Sequence, residues 1–113
     1  MSEETKEEML HRWRQLGADH SKAKANRVYL DQYRKSKIAL LMRKYAAEGV
    51  ATAAAQEREA LANPEYVELL EGLREAVEIE EKARWEQKIC EMQFDAWRTK
   101  EASNRQERRS YGA

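Results

Sequence analysis

The chain reads as all-α, a long antiparallel helical hairpin with a short N-terminal helix that assembles into a homo-oligomeric bundle. Three observations predict this. Ala, Glu, Lys, Arg, Leu and Gln dominate the 113 residues, a composition that favours long helices. Backbone punctuation is sparse, limited to Pro64 and to Gly17, Gly49, Gly72 and Gly112. The net charge of zero also conceals two opposed blocks. Residues 22 to 44 carry eight cations against Asp31 alone, whereas residues 57 to 81 carry nine carboxylates against Arg58 and Arg74, so net +7 faces net −7 about a turn near residue 50.

The elements follow in order. A first helix over about 3–16 begins at Ser2 or Thr5, where Thr5 and Glu8 have capping-box spacing, and Gly17 stops it. Its buried face is Met9, Leu10, Trp13 and Leu16. Asp19 or Ser21 caps a second helix over about 21–48, which buries Ala23, Leu30, Ile38, Leu41 and Tyr45 with Val28 and Met42 at the flank, and Gly49 ends it. The alanine-rich stretch 51–62 forms a short third helix. Asn63-Pro64-Glu65 then starts a fourth, with an Asn cap, proline in the first turn and a carboxylate at the positive end of the helix dipole.

That fourth helix meets no breaker except Gly72 until about residue 103. Tyr66, Leu69, Leu70, Leu73, Ala76 and Val77 share one face of it, Trp85, Ile89, Met92 and Ala96 another, and Cys90, Phe94 and Trp97 a third. The later half thus shows apolar surface in more directions than the first helix alone can cover. A second chain would solve that problem, with Trp85, Ile89, Met92, Phe94 and Trp97 as the expected oligomer interface. Residues 1–103 form a single helical domain on this reading, and 104–113 a polar, frayed, arginine-rich tail.

Reversal near residue 50 brings Arg43 and Lys44 opposite Glu57 and Glu59, Lys35 and Lys37 near Glu65 and Glu68, and Lys22 and Lys24 toward Glu78 and Glu80. Internal neutralisation is the expected fate of much of this charge. Exposed pairs contribute only about 0.2 to 1 kcal/mol each, so they would specify register more than stability. Glu68, Glu71, Glu75 and Glu78 also form one acidic helical stripe that offers a surface to a basic partner.

Several classes are excluded or disfavoured. No apolar run approaches the roughly 20 residues that span a bilayer, and the acidic start differs from a basic signal-peptide region, so a cytoplasmic protein without membrane contact is expected. One cysteine, Cys90, excludes an internal disulfide framework and reads as a small packed apolar residue. The four glycines are isolated, which excludes phosphate-cradling loops. Glu8 and His11 have the Glu-x-x-His spacing of carboxylate-bridged metal bundles, but the second such motif is missing, and His20 and Cys90 are scattered. The expectation is a protein that is not an enzyme, with no metal, cofactor or small-molecule substrate.

A basic and aromatic face is the better functional candidate. Lys22, Asn26, Tyr29, Tyr33, Lys37 and Lys44 occupy one angular sector of the second helix, away from Leu30, Ile38 and Leu41. Lysines there would release phosphate counterions while tyrosines stack on bases, an arrangement that suits single strands. The alternative is that Tyr29 and Tyr33 simply pack against the first helix or a second subunit. Arg98, Arg105 and Arg109 form a second candidate surface. No helix-turn-helix or zinc finger accompanies either patch, which argues against sequence-specific duplex reading.

Three segments carry a resemblance: Lys22-Ala23-Lys24-Ala25-Asn26-Arg27-Val28-Tyr29-Leu30 followed by Arg34-Lys35-Ser36-Lys37, the run from Leu69 to Ala76 continuing to Arg84-Trp85, and the stretch from Trp97 to Arg105. Over most of residues 20 to 108 the chain resembles small helical proteins of tailed-phage and prophage genomes. The resemblance implies an early phage gene acting near recombination and single-strand binding, in the cytoplasm of the host bacterium. It brings no catalytic residues. The expectation is therefore an accessory protein that binds single-stranded DNA or a DNA-bound recombination protein. The other readings are an inhibitor that grips a host defence protein through the acidic stripe, and a structural oligomer without ligand.

Overall fold

A computed structural model of the protein describes residues 4–112. Three helices follow one another: α1, Lys6–Ala47; α2, Ala53–Ala62; and α3, Pro64–Gly112. Thr5 and Glu8 form the expected capping box, with the Glu8 amide donating to Thr5 Oγ1 at 3.2 Å and the Thr5 amide donating to Glu8 Oε2 at 3.3 Å. The alternative start at Ser2 lies outside the described residues.

The expected stop at Gly17 does not occur, and the short N-terminal helix is the first part of α1. Gly17 keeps a negative φ, since Gly49 is the glycine with a left-handed backbone among the described residues. An interior glycine costs a helix only about 1 kcal/mol when no proline follows, and strong helix formers on both sides outweigh that. The supposed caps are mid-helix residues instead. Ser21 Oγ donates to the Gly17 carbonyl at 3.0 Å, and Asp19 accepts from Gln15 Nε2 at 3.3 Å.

Gly49 does end α1, at φ 98°. Its amide donates to the Ala46 carbonyl at 3.2 Å and the Val50 amide donates to the Tyr45 carbonyl at 3.0 Å, the pair of bonds that satisfies the last turn of a helix around a left-handed residue. Thr52 caps α2 by accepting from the Ala55 amide at 3.1 Å. Asn63 performs two tasks at the start of α3. Its Oδ1 accepts from the Glu65 amide at 2.8 Å, and its Nδ2 donates to the Tyr45 hydroxyl at 2.9 Å, which ties the end of α1 to the beginning of α3.

Contacts group into two compact units, Lys22–Glu81 and Met1–Ser21 with Lys82–Ala113. In the first, α1 and α3 run antiparallel with α2 between them in sequence, and Leu41, Ala60 and Tyr66 form a buried cluster against which Ile38, Met42 and Tyr45 pack. In the second, Met9 and Cys90 are buried, and Trp13 lies 5.5 Å from Phe94, which in turn stacks on Trp97 at 5.8 Å. Two members of the expected oligomer interface, Phe94 and Trp97, are thus half-buried within their own chain. Gly17 belongs to this packing, because a Cβ there would come 3.2 Å from Gln87 Nε2.

The expected end of this last helix near residue 103 is also corrected. α3 continues through Asn104 to Gly112, since no breaker intervenes, and Ser110 Oγ bonds back to the Gln106 carbonyl at 3.2 Å. Gly72 likewise leaves α3 unbroken. Among the described residues no helix is long and apolar enough to cross a membrane.

Candidate nucleic-acid interface

Charge pairing decides what remains available on α1, and the structure forms little of it. Of the eight cations between residues 22 and 44, two reach a carboxylate on α3. Arg27 makes a two-pronged contact to Glu80, with Nε donating to Oε2 at 2.6 Å and Nη2 to Oε1 at 3.2 Å, and this contact raises the guanidinium pKa above its already high ordinary value. Lys37 Nζ donates to Glu65 Oε2 at 3.1 Å. Lys37 with Glu65 is one of the anticipated pairs, but Glu80 meets Arg27 rather than Lys22 or Lys24, and Lys22, Lys24, Lys35, Arg43 and Lys44 have no carboxylate within 4.0 Å among the described residues. Wholesale neutralisation fails for a steric reason: a helix turns only part of its circumference toward a neighbour, and these cations lie on exposed positions around the rest of α1.

The aromatic pair is exposed. Tyr29 is 64% and Tyr33 37% accessible, and their rings stack on one another at 6.0 Å with an interplanar angle of 12°. Four-residue spacing on a helix produces that stack, which leaves the outer ring faces to solvent. Neither tyrosine is buried within its own unit. Lys22 and Asn26 flank the pair on the exposed surface, and Lys44 sits 5.7 Å from the Tyr45 ring. From Lys22 to Lys44 the face extends about 33 Å along α1.

Two features of this face escape a reading of charges and rings. Leu40 is 54% exposed one turn beyond Lys37 and one turn before Lys44, and its helical spacing from Tyr33 was the available signal. Lys37 belongs to the sector but is engaged by Glu65, so it contributes less free positive charge than its neighbours.

The other candidates are placed as follows. Arg98 lies 4.0 Å from Asp95 in its own helix, and Arg105 and Arg109 are exposed. Lys6, Trp97, Arg98, Arg105 and Arg108 line an open groove of about 850 Å³, to which Asp95 and Glu101 also contribute. In the acidic stripe of α3, Glu71 contacts Arg74 at 3.5 Å, while Glu68, Glu75 and Glu78 are exposed with no described cation within 4.0 Å. Trp85, Ile89 and Met92 are exposed. His11 is exposed, Cys90 is buried with its thiol 3.9 Å from the Met9 carbonyl, and among the described residues no three His, Cys, Asp or Glu side chains converge on a metal position.

No protein-family model, no curated protein and no solved structure matches the chain.

Proposed function

We propose that this protein is a non-enzymatic accessory factor that binds single-stranded nucleic acid through the exposed face of α1. The observation that carries the reading is the stacked, solvent-facing Tyr29 and Tyr33 pair within a field of lysines, several of which have no carboxylate partner. Stackable rings between ammonium groups suit an unpaired strand, because bases offer π-faces whatever their sequence and phosphates offer negative charge at regular intervals. The resemblance of residues 20 to 108 to small phage proteins agrees with a role in phage DNA metabolism, beside a recombination protein that also holds DNA.

Fluorescence anisotropy with a labelled oligothymidine tests this. Binding should weaken steeply with added salt, by a slope of roughly −2 if three lysines release counterions from a single strand. Replacing Tyr29 and Tyr33 by Ala together with Lys22 and Lys44 by Gln should abolish it. No binding by the wild type at low salt sinks the proposal.

A second reading rests on Glu68, Glu75 and Glu78, whose carboxylates have no described cationic partner. They would meet a basic surface on a host protein. Recovery of one host protein from a lysate, insensitive to nuclease and lost on replacing these three by Gln, would favour it.

A further inference from the structure

We infer that the second half of α3 pairs antiparallel with the same segment of a second copy of this chain, about a two-fold axis that passes between Ile89 and Met92. Trp85, Ile89, Met92 and Ala96 are all exposed, the first three at 55%, 43% and 62%. They recur at steps of four, three and four residues, the alternation of a helix–helix seam. Cys90 and Phe94 on the same helix face inward, and at about 100° per residue the exposed stripe lies on roughly the opposite side of α3. Within its own unit this stripe stays exposed, with the Arg84 guanidinium over the Trp85 ring, at 5.5 Å.

The charges beside the stripe choose the occupant and its direction. One flank carries Glu81, Lys88 and Asp95, and the other carries Glu86, Gln93 and Lys100. In an antiparallel pair each flank meets its own counterpart. Lys88 then faces Asp95 of the second copy, and the two-fold repeats that attraction, while Glu86 faces the neutral Gln93 of the second copy. A parallel pair would set one flank against the other, placing Glu81 opposite Glu86 and Asp95 opposite Lys100, so that repulsion and attraction cancel. Asp95 keeps only a 4.0 Å contact to Arg98 in its own helix, and Lys88 is exposed, so both are available for the antiparallel pair.

Side-chain volumes agree with the same register. Trp85 would pack over Ala96 of the second copy, large on small, and Ile89 over Met92 of the second copy. The seam is short, about 17 Å or three turns from Trp85 to Ala96, so it brings fewer side chains together than a standard stable interface. A weak dimer, in the micromolar range or weaker, follows.

Sedimentation equilibrium on the full chain across micromolar concentrations tests this independently of nucleic acid. The wild type should show a reversible monomer–dimer equilibrium. Met92→Glu should weaken it about tenfold or more, because a carboxylate would be buried at the seam. Lys88→Asp and Asp95→Lys should each weaken it, roughly threefold, and the double exchange should restore it. All three positions are exposed, and far-ultraviolet circular dichroism checks that each variant keeps its helices. A wild type that stays monomeric throughout, a dimer unaffected by Met92→Glu, or a double exchange no better than the single changes would each overturn the inference.

Discussion

Replacing glycines by alanine should move stability in opposite directions at positions the sequence alone makes look equivalent. Gly17 and Gly72 lie inside α1 and α3 at helical φ, whereas Gly49 sits at φ 98°. A helical glycine costs about 1 kcal/mol relative to alanine, chiefly because its unfolded backbone is freer. At Gly72 an added methyl group meets nothing within 4 Å, so Gly72→Ala should stabilise by close to that full amount, about 1 kcal/mol. At Gly17 the new Cβ would lie 3.2 Å from Gln87 Nε2, the far end of a flexible side chain that can swing aside. Gly17→Ala should therefore gain less, about 0.5 kcal/mol, and combining it with Gln87→Ala should recover the rest. Gly49→Ala should cost about 1 to 2 kcal/mol, the penalty of a left-handed L-residue. Thermal and urea unfolding followed by circular dichroism would read these changes, since about 1 kcal/mol corresponds to roughly 4 °C in a chain of this size. The sign at Gly17 is decisive. If Gly17→Ala destabilises by about 1 kcal/mol or more, Gly17 ends a helix in the left-handed conformation and the continuous α1 is refuted.

Two further outcomes follow from particular contacts. Asn63→Ala removes both the cap of α3 and the partner of the Tyr45 hydroxyl, so it should cost about 1 to 2 kcal/mol in urea unfolding, while Asn63→Asp, which keeps the cap, should cost roughly half as much. The guanidinium of Arg12 bonds to Glu4 and holds that carboxyl below its ordinary value of 4.5. A carboxyl depressed in the folded state adds stability that is present above pH 4.5 and is lost as pH falls through the lower folded value. Glu4→Gln should flatten that acid-side loss in a pH series of melts, and an unchanged acid limb would show that the contact is not populated.

The helical class, the Gly49 turn, the Asn63-Pro64-Glu65 start and most of the buried faces of α1 and α3 were legible because each depends on local chemistry: a left-handed glycine, an Asn cap and apolar spacing; Leu70 and Val77, expected on the buried face of α3, are exposed. Gly17 was misread because its role is tertiary. It admits Gln87, and a helix interior that tolerates glycine looks in sequence like one that ends there. The division of the apolar residues between core and surface was only half legible. Helical spacing separates Trp85, Ile89 and Met92 from Cys90, Phe94 and Trp97, but only the packing of Trp13 on Phe94 shows which set the chain covers itself. Charge was the least legible. Mirror-image blocks predict Lys37 with Glu65, but they bring Lys22 and Lys24 toward Glu80 where Arg27 stands, because block charge does not reveal which cations face the neighbour. The candidate face was visible as Tyr29, Tyr33 and their lysines, whereas Leu40 and the engagement of Lys37 needed side-chain positions.

The most direct test of the central claim is an amide nitrogen–proton NMR titration of the protein with a short single-stranded oligonucleotide at low salt. Shifts should concentrate at Lys22, Asn26, Tyr29, Tyr33, Leu40 and Lys44, and added salt should reverse them. Shifts confined to the acidic stripe of Glu68, Glu71, Glu75 and Glu78, or no shifts at all, would contradict it.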